Sequence, residues 1–288
     1  MMNYIMRLGI LWLMIFNVNL IIKSQNLEET IKFADKQFEE QNYQLAVKEY
    51  QRALFFAGNQ HLDYLYQQIA HSFFVNNQFE QALYFYELSY KTASADSIKY
   101  ERIFDKSATY IKIGDYRHSI YELMNLPDSL PVYFAGRRTF YFAVSYFGSE
   151  DFKKSESYFL RLIPNDDIEK RNQISELFDK KKNLYRPNPQ TAKIFSMILP
   201  GSGQMYAGDV KNSLNSALLT GSFVMLGVVM AQEYSILDAV LTAFPWFIRY
   251  YKGGYNSSKK IAQNKRAIRR DKSYKKLLKI VSDAKNIK

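Results

Sequence analysis

The 288-residue sequence predicts an all-α protein: a stack of helical hairpins, then a membrane hairpin of two or three apolar segments, then a basic helical tail. Three observations predict it. A small residue recurs at Ala34, Ala70, Ala108 and Ala143, separated by 36, 38 and 35 residues, among apolar positions three to four apart. Three apolar stretches stand C-terminal to these, at 192–208, 216–231 and 236–251. The positive charge is confined to one end: Arg249 to Lys288 holds 14 Lys and Arg against Asp271 and Asp283, a net of +12, so the overall +11 leaves −1 for residues 1–248. The high pI therefore describes a tail and not a nucleic-acid-binding body.

Residues 1–24 read as a signal peptide. Arg7 precedes the uncharged run LGILWLMIFNVNLII, which matches a signal core better than the roughly 20 residues of a spanning helix. Cleavage is expected after Ser24, with an uncleaved anchor as the alternative; either would export the polar segment that begins at Gln25.

Residues 25–163 read as about four hairpins. About twelve residues after each recurring alanine stands a second small residue: Ala46, Ala82, Ser119 and Ser155. Three positions before it is an aromatic (Tyr43, Phe79, Tyr116, Phe152), and four after it Tyr50, Tyr86, Leu123 or Phe159. Small residues let two helices approach, and large ones fill the gap to the next pair. The polar turns EEQN, VNNQ, KIGD and GSED lie between the helices.

This pattern resembles the tetratricopeptide repeat, closely in the first two hairpins and less so where Ser replaces the second Ala. The resemblance implies a TPR-like α-solenoid whose first helices line a groove for a protein segment. Carried over by position, that groove would include Asp35, Phe38, Gln67, His71, Phe74, Asp105, Thr109, Lys112, Phe140 and Phe147, although any one of these phenylalanines is more readily explained by packing between repeats.

Residues 164–190 read as a capping helix and linker. Asp166 and Asp167 stand at its start and three lysines at its end, in the order a helix dipole favours. The prolines of RPNPQ then break the chain.

Residues 191–252 read as a membrane module. The 216–231 stretch carries no charge, and Trp246, Tyr250 and Tyr251 beside Arg249 suit an interface. Within the first stretch, Pro200, Gly201, Gly203, Gln204, Tyr206 and Gly208 form P-G-x-G-Q-x-Y followed by Gly. The motif resembles a small bacterial membrane-domain family of unknown function, in which a short apolar helix enters the motif and transmembrane helices come after it. Its glycines permit a reversal or close packing against Gly221 or Gly227, and Gln204 and Tyr206 are placed to satisfy freed backbone groups. A plain interfacial turn explains it equally well.

Residues 253–288 read as a helical tail. Leu277, Ile280, Val281 and Ala284 share a face and lysines occupy the others, an arrangement suited to anionic lipid and less so to ribosomal RNA. Three crossings would put this tail in the cytoplasm and two would leave it with the exported repeats; three segments are expected.

No chemistry-bearing constellation appears. There is no cysteine, and His61, His71 and His118 share no ligand spacing. With no nucleophile elbow, HExxH or apolar carboxylate pair, neither an enzyme nor a cofactor is expected. The expectation is a non-catalytic, membrane-anchored scaffold of the bacterial envelope, with its repeats in the periplasm at the inner membrane and a protein partner in the groove. The alternative is an accessory factor in membrane-protein insertion or export.

Overall fold

The computed structural model describes residues 27–179 and 184–285, so the expected signal segment lies outside the described residues. Fourteen helices and no strand occur among them. The chain divides into two compact units after Ser155.

The first unit contains α1 (Leu27–Glu39), α2 (Tyr43–Ala57), α3 (Leu62–Val75), α4 (Phe79–Thr92), α5 (Asp96–Ile113), α6 (Tyr116–Met124) and α7 (Val132–Gly148); the boundary falls within α8 (Phe152–Arg161). Each helix from α1 to α7 packs on the next, and α5 also meets α7.

Four turns share one geometry. Gln41, Asn77, Gly114 and Glu150 have φ of 64°, 59°, 83° and 66°, the left-handed conformation that ends a helix. Each donates its N–H to the carbonyl three residues back: Phe38, Phe74, Ile111 and Phe147, at 3.0, 3.0, 3.1 and 3.2 Å.

Seven residues before each of these stands a fully buried small residue: Ala34, Ala70, Ser107 and Ala143. The third recurring position is therefore Ser107, not Ala108, which is only half-buried. The expected register was one residue late in that hairpin. A serine stands where an alanine was sought, and the alanine beside it took its place in the pattern. Buried hydroxyls need partners. Ser107 Oγ lies 2.7 Å from Ser119 Oγ, which lies 2.7 Å from Ser145 Oγ, joining three helices.

The aromatics close each hairpin in the same way. Phe38 packs edge-on against Tyr43, Phe74 against Phe79, and Phe147 against Phe152, with centroids 5.4, 5.8 and 5.4 Å apart. Tyr116 instead covers Gly148, where an added Cβ would fall 2.2 Å from the ring.

The second unit contains α9 (Ile168–Phe178), α10 (Pro189–Ile198), α11 (Ser202–Tyr206), α12 (Val210–Glu233), α13 (Ile236–Thr242) and α14 (Phe244–Lys285). Asp167 caps α9 by accepting from Lys170 N at 3.1 Å. RPNPQ breaks the chain and also starts the next helix, because Asn188 accepts from the N–H groups of Gln190 and Thr191 while Pro189 opens α10.

Among the described residues α12 is the one helix long and apolar enough to cross a membrane. Its 24 residues rise about 36 Å, against a hydrocarbon core of about 30 Å. The third apolar stretch is not a single helix. It divides at Ala243, and α14 then continues for 42 residues into the basic tail. α14 runs back along α12: Ala243 lies by Gly227, Phe223 stacks on Tyr250 at 5.1 Å, and Gly254 faces Ser216.

The tail is not a free amphipathic helix. Leu277 and Val281 are buried, α9 packs on α14, and Arg270 Nε donates to Leu184 O at 2.8 Å. Of the apolar face, Leu277 and Val281 are thus buried and Ile280 and Ala284 half-buried, while Lys272, Lys275, Lys276 and Lys279 are exposed.

Candidate functional site

The P-G-x-G-Q-x-Y segment builds a close reversal. Leu199 ends α10, Gly201 takes φ 92°, and α11 returns against the helix it left. The first apolar stretch is thus a folded-back pair of short helices and not one continuous helix. A Cβ on Gly203 would sit 1.8 Å from Ala192 O and 2.5 Å from Ser196 Oγ. A Cβ on Gly201 would sit 2.4 Å from Ser213 O. Gly208 has positive φ but open space around it, so its role is conformational.

A buried chain of hydrogen bonds fixes this approach. Gly203 N donates to Ser196 Oγ at 3.0 Å, and Ser196 Oγ donates to Gln204 Oε1 at 2.7 Å. Gln204 Nε2 donates to Gly254 O in α14 at 3.0 Å. Tyr206 OH accepts from Asn188 N at 3.1 Å, Tyr251 OH donates to Met197 O at 2.7 Å, and Ser258 Oγ donates to Ala192 O at 3.1 Å. Gln204 therefore ties the reversal to α14, and Tyr206 ties it to the start of α10. Its glycines pack against α10 and α12, whereas Gly221 and Gly227 meet other surroundings: nothing within 4 Å of Gly221, and Ala243 beside Gly227.

Apolar side chains stand exposed around this core. Leu218 and Met225 of α12, Ile236 and Leu241 of α13, and Ile198 of α10 are each 66–78% exposed. Scattered exposed leucines need no explanation, but this many on α10, α12 and α13 do.

In the first unit, several residues expected to line a groove have other work. Asp35 accepts from Tyr50 OH at 2.6 Å and from Tyr64 OH at 3.0 Å, joining α1, α2 and α3. Burial, then the Asp35 carboxylate, pushes both tyrosine hydroxyls above their ordinary pKa. Phe38, Phe74 and Phe147 pack within their hairpins. Thr109 is fully buried and donates to Asp105 O at 2.8 Å. Gln67 and Phe140 are half-buried, and Lys112 is exposed.

What the structure does bring together is a line across α1, α3 and α5. The Phe38 ring lies 5.1 Å from that of His71. Burial, and then the charge of Arg102, holds the His71 pKa below its usual value. Arg102 Nη1 lies 3.1 Å from Asp105 Oδ2 without the alignment of a hydrogen bond, and Arg102 Nε is buried with no protein partner. Burial pushes the Asp105 carboxyl up to about 6, outweighing Arg102.

Beside it are ions that sequence reasoning missed. Lys106, 8% exposed, reaches Glu87 of α4 at 2.8 Å and Glu122 of α6 at 2.9 Å. Burial works to lower the Lys106 pKa, but the two carboxylates outweigh it and hold it raised. Arg137 of α7 pairs with Glu101 and lies 4.5 Å over the Phe104 ring. The missed signal was a charge run on one helix, Glu101-Arg102 and Asp105-Lys106, which reads equally well as a solvated face.

Among the described residues no cluster of three His, Cys, Asp or Glu side chains is placed to hold a metal. No protein-family model, curated protein or solved structure matches the chain.

Proposed function

We propose that this chain is a non-catalytic, membrane-anchored scaffold of the bacterial cell envelope, whose first unit is a TPR-like solenoid holding a protein segment. The observation that carries the reading is the common turn geometry at Gln41, Asn77, Gly114 and Glu150, spaced 36, 37 and 36 residues, in a chain that also has a mostly exposed apolar helix at Val210–Glu233. Regular spacing of equivalent turns is how stacked hairpins present successive first helices to one ligand. The exposed His71, with Asp105 beside it and the buried Arg102 behind, is then the preferred contact region.

The membrane hairpin is α12 with α13 and the start of α14. Because α9 and Leu184 are docked on the distal part of α14, the connector and the basic tail share one side of the bilayer. No helix long and apolar enough to cross lies between Ser155 and α9. The tail therefore accompanies the repeats: in the periplasm if residues 1–24 direct export, as we propose.

The dense cationic face of α14 favours the second reading, an insertion or export accessory factor, if that shared side is the cytoplasm. Reporter fusions after Ser155 and after Lys288 test both. Two periplasmic signals support the envelope scaffold and two cytoplasmic signals support the accessory factor. Opposite signals would overturn the hairpin. Photocrosslinking from His71, compared with the outward-facing Arg52, tests the groove: equal yields would remove it.

A further inference from the structure

A polar pocket of about 370 Å³ lies between α11, α12 and α14, lined by Gln204, Asn212, Asn215, Ser216, Arg249 and Ser257 among others. No carboxylate lines it. The nearest acid to these residues in sequence, Asp209, is occupied by the N–H and Nδ2 of Asn212 at 3.1 and 2.8 Å. The Ser216 hydroxyl is buried without a protein partner, and so is that of Thr220 one turn along α12. Among the described residues Arg249 has no ion-pair partner; its guanidinium lies 5.7 Å from the Trp246 ring. Amide, hydroxyl and guanidinium donors with no competing acid suit an anion carrying several oxygens.

The neighbourhood narrows the class of anion. Further along the same helix pair is an apolar pocket of about 330 Å³, lined by Val224, Gly227, Val228, Ala243 and Phe247 among others. Phe223 of the apolar pocket stacks on Tyr250 of the polar one. By pairing along the two helices (227 with 243, 216 with 254), Arg249 lies level with Gly221, about 7 Å inside the polar end of the apolar 216–231 stretch and within reach of that end. A guanidinium at that depth on a lipid-facing hairpin is costly unless it is paired or reaches the interface.

We infer that this pair of pockets binds one anionic phospholipid, with the phosphate at Arg249, Asn215 and Ser216 and an acyl chain along α12 and α13. The inference rests on the membrane reading of α12. The headgroup is one without an ammonium, because the pocket offers no acid to receive it. This site is separate from the lysines of the tail, which meet lipid only as a diffuse charge.

The test is native mass spectrometry of the full-length chain in detergent, titrated with phosphatidylglycerol, phosphatidylcholine or inorganic phosphate. One phosphatidylglycerol should be retained at a concentration at least tenfold below that needed for phosphatidylcholine. Arg249→Gln should abolish that preference, Ser216→Ala should weaken it several-fold, and the tail variant K275Q/K276Q/K279Q should keep it. Equal retention of the two lipids, an unaltered Arg249→Gln protein, or a tail variant that loses the preference would each overturn the site. Displacement of the lipid by equimolar inorganic phosphate would make it a free-phosphate site and overturn the lipid assignment. Alkaline extraction from vesicles separates this from the underlying reading. A chain released from both lipids refutes the membrane hairpin, whereas one retained in both without selectivity refutes only the pocket.

Discussion

Gly203→Ala tests the close approach that organises the second unit. The new Cβ would stand 1.8 Å from Ala192 O, a backbone atom that no rotamer change can move. Restoring van der Waals contact requires α10 and α11 to separate by about 1.5 Å or more. That movement breaks or stretches the Gly203–Ser196, Ser196–Gln204 and Gln204–Gly254 bonds. At about 1 kcal/mol net for each bond, with a further 1–3 kcal/mol of overpacking, the loss is on the order of 4–6 kcal/mol. Gly221→Ala is the control: nothing lies within 4 Å of its Cβ position in the middle of α12. Alanine is the better helix former there, by up to about 1 kcal/mol. The assay is thermal unfolding of the full-length protein in detergent, followed by circular dichroism and by tryptic cleavage after Lys193. The Gly203 variant should melt roughly 10 °C or more below wild type, and the Gly221 variant should match or exceed wild type. If the two variants melt together, α11 does not lie against α10 and the hydrogen-bond chain from Gly203 to Gly254 is wrong.

The left-handed turns give a second prediction: Gln41→Gly and Glu150→Gly should each stabilise by roughly 0.5–1 kcal/mol in denaturant titrations, and Gly114→Ala should destabilise by about 1 kcal/mol. Lys106→Ala should cost about 2–4 kcal/mol, because it strands Glu122 between helices; a variant as stable as wild type would show the pair to be ornamental. Asp105 makes stability depend on pH in a stated direction. Its pKa is raised to about 6 in the folded protein, so its favourable contribution is complete below about pH 4 and is lost as pH rises through 6. The full shift corresponds to about 3 kcal/mol, reduced to about 1–2 kcal/mol because the carboxylate is 27% exposed. Asp105→Asn should flatten the unfolding midpoint between pH 4 and 6.5, and an unchanged slope would remove Asp105 as its source.

The all-helical class, the hairpin turns and the apolar span were legible because each arises from local periodicity. Polar turns at EEQN and VNNQ interrupt amphipathic runs, and an uncharged stretch stands out in any window. Spacing alone left the third hairpin one residue out of register. Ala108 and Ser107 are both small, and only burial beside Ser119 distinguishes them. The groove residues divided for a similar reason. Asp35, Phe38 and Phe74 sit at positions a ligand-facing surface would use, and they also hold partners 15, 5 and 5 residues away within the hairpins.

The sequence by itself determined that residues 200–206 permit a reversal of the chain, because proline and glycine restrict and release φ locally. Tertiary structure alone decided what the reversal is for. Gln204 reaches an acceptor 50 residues on, Leu277 and Val281 are buried, and α9 packs on α14. A helical face records that it is apolar. Whether lipid, a partner or the chain's own connector covers it depends on contacts between segments distant in sequence, which local periodicity does not encode.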